Sequence, residues 1–128
     1  MNLLLFDIDG TILSTNGAGT RAVNRAFEKI LGQSDAMAGV DAAGKTDPLI
    51  LREMFMNKLS RDFTENEELE IFREYVSFLA EEVAAGEVEI MPGIPFLLES
   101  LSLRDDMLLG VATGNIEEGA WIKLRRAR

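Results

Sequence analysis

The stretch Leu3-Leu4-Leu5-Phe6-Asp7-Ile8-Asp9-Gly10-Thr11-Ile12-Leu13 constrains this chain more than any other: an apolar run that stops at two carboxylates and a glycine. Apolar runs of this length, closed by a turn signal, suit a strand buried on both faces in a parallel sheet covered by helices. Asp7 and Asp9 then fall at the strand's carboxyl end, where open α/β sheets bind ligands. Residues two apart share a face of an extended strand, so both acids address one small volume, and Gly10 lets the backbone leave sharply. Two ionised carboxylates about 6 Å apart repel by roughly 3 kcal/mol at an effective dielectric near 20, so the pair calls for a cation or a shared proton. A hard divalent ion such as magnesium meets that need. The plainer alternative for a bare Asp-x-Asp is a solvated strand end running into an Asp-Gly turn.

The totals narrow the chemistry. The 128-residue chain has no cysteine, which removes disulfides, zinc-thiolate sites and thiol nucleophiles. It has no histidine, so acid/base work falls to carboxylates or lysine. A formal charge of −9 argues against nucleic acid or an anionic membrane as partner. The apolar residues 1–6 lack a basic leader and are too short for a signal or a membrane span, which predicts a cytoplasmic protein.

Residues 14–19 form a glycine-containing linker with the character of a hinge. From Thr20, read as an N-cap, apolar residues at Ala22, Val23, Ala26, Phe27, Ile30 and Leu31 have helical spacing, and Gly32 stops it. A small-residue loop over 33–45 leads to Asp47-Pro48, read as an N-cap with proline at the first helical position. Thr64-x-x-Glu67 is a capping box ahead of a third helix that stops at Gly86. Methionines 54 and 56 are read as core fillers, and the acids over 65–70 as a dipole-matched helix end. Met91-Pro92-Gly93-Ile94-Pro95 launches a further helix, and Asp105-Asp106 precedes a strand, the wrong end for chemistry. That strand, residues 107–112, ends at Thr113-Gly114-Asn115, and a helix over 116–127 follows. A strand, a polar turn and a helix start bring a hydroxyl, an amide and a helix N-terminus together, which suits either an anion cradle or an ordinary capped turn.

The Asp7-Ile8-Asp9-Gly10-Thr11-Ile12 phrase resembles the first signature motif of the haloacid dehalogenase-like hydrolase superfamily, and Val111-Ala112-Thr113-Gly114-Asn115 resembles its second. The arrangement is similar to the phosphoglycolate-phosphatase-type branch. The resemblance implies an α/β fold, a partial Rossmann-type parallel sheet core over 1–14 and 87–128 with a helical cap inserted over 15–86. It implies that Asp7 attacks phosphorus, that Asp9 protonates the leaving oxygen and then activates water, and that Thr113 binds the transferring phosphoryl group. Magnesium would be held by Asp7 and the Asp9 backbone carbonyl. Gly10, Thr11, Gly114 and Asn115 would line the substrate, and Lys45 would reach it from the cap unless it is a solvated lysine beside a helix start. An acid at position 9 favours phosphoryl transfer over carbon–halogen hydrolysis.

The superfamily also uses a lysine and a later acidic pair that completes the magnesium site. Lys123 is the candidate lysine, although the neighbouring arginines also fit a basic helix end. The acidic pair is missing before Arg128, so the sequence reads as truncated ahead of the fourth motif, with an incomplete sheet able to self-associate. The expected activity is a magnesium-dependent phosphatase for small phosphomonoesters, phosphoglycolate-like or sugar phosphates. The alternatives are an inactive fragment associating through its sheet edge, or a phosphomutase of the same superfamily.

Overall fold

The computed structural model describes residues 1–127; Arg128 lies outside the described residues. Strand β1 (Asn2–Phe6) pairs in parallel with β4 (Met107–Val111), in a register that sets Leu4 beside Leu109 and Phe6 beside Val111. The Ala112 amide donates to the Phe6 carbonyl at 2.8 Å, one step past the last paired residues. Because the strands run the same way, the segments leaving them, Asp7 onward and Thr113 onward, emerge at one edge of the sheet. Helix α4 (Ile94–Ser102) covers one sheet face, where Ile94 and Leu101 bury Phe6 and pack with Leu4 and Leu109. Its start is set by Gly93 at φ 82 and by proline in the first turn. The other face is open: Leu3, Leu5 and Leu108 are each more than half exposed. The strand read as buried on both faces is therefore covered on one, since the described chain supplies α4 and no helix over the opposite side.

A second, antiparallel ribbon joins β2 (Leu13–Ser14) to β3 (Glu89–Ile90), with Leu13 opposite Ile90 and Ser14 opposite Glu89. Between these strands run three helices: α1 (Ala18–Leu31), α2 (Asp47–Leu59) and α3 (Glu65–Ala85). Their shared core holds Phe27, Leu51, Phe55, Ile71 and Leu79, all fully buried, with Phe27 and Phe55 edge to face at 5.1 Å. Helix α1 lies along α3, and Arg21, Arg25 and Lys29 meet Glu82, Glu81 and Glu74 along the solvent side of the seam. Exposed pairs of this kind contribute little each, so the apolar seam supplies most of the association. Met54 is fully buried as read, whereas Met56 is half exposed on the opposite side of α2.

Local signals held at three helix ends and moved at two. Thr64 and Glu67 form the reciprocal capping box, with hydrogen bonds of 3.2 and 2.9 Å, and Gly32 and Gly86 follow the ends of α1 and α3. Helix α1, however, starts before Thr20: Gly17, at φ 86, is its cap, and Thr20 sits inside the first turn. The cap of α2 is Thr46, whose hydroxyl accepts the Leu49 amide, which leaves the Asp47 carboxylate for a partner elsewhere. Helix α5 (Glu117–Arg126) packs against α3, with Gly119 beside Leu79 and Tyr75. Among the described residues no helix is long and apolar enough to cross a membrane.

Candidate active site

The turn after β1 begins with Ile8, which is fully buried while its carbonyl accepts amides from Thr11, Ile12 and Leu13 at 3.1, 2.9 and 3.2 Å. Burying Ile8 turns its neighbours on both sides toward a cleft, and Asp7 and Asp9 both line it. Gly10 takes φ 77, a left-handed conformation that favours glycine, and donates its amide to the Leu13 carbonyl at 2.8 Å. The same tight turn carries Thr11 away: it is exposed and stands outside the residues that line the cleft.

On the second strand, the Thr113 hydroxyl accepts the Asn115 amide at 3.2 Å and the Asn115 side-chain nitrogen at 2.6 Å. That nitrogen also donates to Asp9 Oδ2 at 2.9 Å. Lys123, one helical turn and more into α5, is only 4% exposed. Its ammonium donates to both Asp9 oxygens at 3.0 Å and to Asn115 Oδ1 at 2.6 Å. Burying an ammonium requires this kind of full partnership, because an unpaired charge in the interior is strongly disfavoured. Lys123 is thus a member of the site and not a basic helix end. Asp9, Thr113, Asn115 and Lys123 form one network across a sequence separation of 114 residues between Asp9 and Lys123.

Asp7 is held more lightly. Its Oδ1 accepts the Ile8 amide at 2.8 Å, and among the described residues no donor reaches Oδ2. No described donor reaches the Asp9 backbone carbonyl either. These are two hard oxygens of the type magnesium takes, and an ion that keeps waters and binds substrate phosphate needs few protein ligands. The donors present fit such an ion in kind, although no group of three or more acidic or histidine ligands gathers among the described residues.

The cap closes the cleft, about 710 Å³ in volume, with residues of α1, the 42–47 loop, α2 and α3. Lys45 lines it, but its ammonium is held by both Glu53 carboxylate oxygens at 2.9 Å. Two cap residues that sequence reasoning passed over also face it. Asp47, read as a helix cap, instead clasps the second-strand turn: its amide donates to the Gly114 carbonyl at 2.8 Å, and its Oδ2 accepts the Ile116 amide at 2.8 Å. A signal was present, since Thr46 and Asp47 are two capping residues in succession and a helix start uses one. Burial pushes the Asp47 carboxyl above the usual carboxylate range, opposed by the Ile116 hydrogen bond and by Lys123. Tyr75, on α3, lines the cleft as well, and its hydroxyl and the Lys123 ammonium both face Gly19 of α1. Burial, with the charges of Asp47 and Asp9, holds that phenol far above its ordinary value, so it stays protonated.

Two acids at the carboxyl edge of a parallel sheet, a buried lysine on one of them and three helices lining the same cleft form the kind of site at which open α/β sheets bind ligands. The family model for haloacid dehalogenase-like hydrolases matches residues 4–128. The chain belongs to the haloacid dehalogenase-like hydrolase family. Among solved structures it is similar to CbbY from Rhodobacter sphaeroides in complex with phosphate, at 23% identity and TM-score 0.68, covering 98% of this chain and 56% of that one. A "predicted phosphoglycolate phosphatase" from Haemophilus somnus 129pt matches at 20% identity and TM-score 0.61, covering 91% and 52%. YfnB from Bacillus subtilis, bound to magnesium, matches at 20% identity and TM-score 0.51, covering 97% and 58%. The chain thus spans little more than half the length of these structures. No curated protein matches it.

Proposed function

We propose that this chain carries the nucleophile and phosphate-binding half of a magnesium-dependent phosphomonoesterase that works through an aspartyl phosphate on Asp7. The observation that carries the reading is the Asp9–Asn115–Thr113–Lys123 network, which joins both strand ends around a cleft that Asp7 also lines. In this reading an Asp7 oxygen bonds to phosphorus as the ester P–O bond breaks, and the Asp9 carboxyl gives its proton to the departing alkoxide. Asp9, now a carboxylate, takes a proton from water as that water attacks the acyl phosphate, which frees Asp7 and inorganic phosphate. The Thr113 hydroxyl donates to a phosphoryl oxygen. Lys123 fixes the Asp9 carboxylate through both oxygens and completes the positive side of the site. Magnesium, held by Asp7 and the Asp9 carbonyl, would offset charge on the phosphoryl group.

Gly10, Gly114 and Asn115 surround the phosphoryl position in this reading, and all three line the cleft. A formal charge of −9 supports a small phosphate ester as partner in place of nucleic acid or an anionic membrane, and a cytoplasmic setting fits such a substrate. The test is hydrolysis of an aryl phosphate with and without magnesium, comparing wild type with Asp7→Asn. Magnesium-dependent turnover lost in Asp7→Asn is expected; turnover that survives the substitution refutes the nucleophile assignment.

A second reading rests on the open sheet face, where Leu3, Leu5 and Leu108 are exposed. Apolar strands with a free face and free edges associate, so this sheet would pair with further strands or with a second copy. Sedimentation showing only monomer across a wide concentration range would count against it.

A further inference from the structure

We propose that the cleft selects phosphate monoesters whose alcohol portion is uncharged and apolar-faced, and discriminates against esters carrying a second anionic group such as a carboxylate. The proposal rests on the phosphomonoesterase reading and adds the class of leaving group.

The argument is an inventory of charge. Two cations line the cleft, Lys45 and Lys123, and each is already held by a carboxylate: Lys45 by both oxygens of Glu53, Lys123 by both oxygens of Asp9. Among the described residues no arginine lines it, and the chain has no histidine. Three acids line it as well, Asp7, Asp9 and Asp47. Lys123 belongs to the Asp9–Asn115–Thr113 network at the sheet edge, where the phosphoryl group sits in this reading, whereas Lys45 stands on the helix side of the cleft. The part of the lining that comes from the helices mixes the apolar Val23, Met37, Ile50, Phe72 and the ring of Tyr75 with the hydroxyls of Thr20, Thr46 and Tyr75, and its charged members are the acid Asp47 and Lys45, which Glu53 holds.

A carboxylate on the alcohol side would leave water for a lining whose acid is Asp47 and whose cation is already paired, which is disfavoured unless it takes Lys45 from Glu53. An uncharged, flat or aliphatic group gains by covering the same walls. The volume agrees: at about 710 Å³ the cleft is far roomier than a two-carbon phosphate ester requires and lies within the range of pockets that take larger organic ligands.

The experiment measures binding by calorimetry, using Asp7→Asn with magnesium so that ligands are not consumed, and magnesium-free wild type as a second form. The probes are phenyl phosphate, phosphoglycolate and inorganic phosphate. Phenyl phosphate is expected to bind at least about tenfold more tightly than phosphoglycolate, a difference of about 1.4 kcal/mol. Glu53→Gln, at a partly buried position of α2, removes the carboxylate that holds Lys45 and is expected to narrow that ratio by strengthening phosphoglycolate alone. Phosphoglycolate binding as tightly as phenyl phosphate overturns the proposal, as does a ratio unmoved by Glu53→Gln. Inorganic phosphate binding as tightly as phenyl phosphate also overturns it while leaving the phosphatase reading intact. Absence of binding by all three probes, in both forms, overturns both.

Discussion

Replacing Gly114 by alanine tests the contact that seats the cap on the second-strand turn. A Cβ built on Gly114 comes within 3.0 Å of Lys45 C and of Thr46 Cα, and closer still to the Lys45 carbonyl oxygen. All three are backbone atoms, so no flexible side chain can yield and the 45–46 segment must move as a whole. Overpacking of this kind costs about 1–3 kcal/mol. The same displacement pulls on both Asp47 hydrogen bonds, to Gly114 and Ile116, each contributing about 0.5–1.5 kcal/mol. Alanine recovers a fraction of this, about 0.4–1 kcal/mol, by restricting the unfolded chain, because Gly114 does not occupy the left-handed region. The net expectation is a loss of about 3 kcal/mol, or a fall of about 10 °C in Tm for a chain of this size. Urea unfolding gives the energy, and hydrogen exchange at the Asp47 and Ile116 amides shows whether the clasp has opened. Gly119→Ala is the matched control: its Cβ would meet Leu79 and Tyr75 at 3.5 Å, ordinary contact, inside α5 where alanine favours helix. It should stabilise by up to about 1 kcal/mol. Gly114→Ala within about 0.5 kcal/mol of wild type, with both amides still protected, would refute the argument that this close approach docks the cap.

The Asp47 carboxyl has its folded value raised, chiefly by burial, so its ionised form is the unfavourable one and stability is lost as pH rises through that folded value. Asp47→Asn keeps an acceptor for the Ile116 amide without the charge, and should equal or exceed wild type in urea unfolding at pH 7, whereas Asp47→Ala should lose about 1–3 kcal/mol. Equal losses in the two variants would show that the charge itself is needed. Glu67 behaves oppositely: the Arg61 guanidinium and the Thr64 amide hold its carboxyl down at about 2. Its contribution is therefore present above the ordinary value of 4.5 and lost as pH falls from there toward 2. Glu67→Gln should flatten that limb of the stability–pH curve and leave the curve above pH 6 parallel to wild type.

Much of the site was legible because it depends on elements that carry strong local signals. Two apolar strands, each ending in a polar phrase, point to Asp7, Asp9 and Thr113 at one sheet edge, since parallel strands deliver their carboxyl ends to the same place. Asn115 followed from the same turn. Lys123 was ambiguous in sequence, because a helix end rich in arginine looks alike whether or not one member is buried; only the packing of α5 on α3 separates them. The Asp47 clasp was hidden for a related reason: its partner, Ile116, is 69 residues away, while Thr46 supplies the local cap that Asp47 was taken to provide. Thr11 stands apart from the cleft because the tight turn on the Ile8 carbonyl rotates it away from its neighbours. The pairing of β2 with β3 was missed because two-residue strands are too short to show alternation.

That short ribbon has a mechanical consequence. The chain enters the three-helix segment and leaves it side by side, through Leu13–Ser14 and Glu89–Ile90, and the Asn16 side chain ties across to the Glu87 carbonyl at 3.1 Å. Joined in this way, the two crossings fix the entry and exit of the helices at one place, and the Asp47 clasp with the packing of α5 on α3 fixes them at a second, so the helices are anchored over the carboxylates on both sides of the cleft.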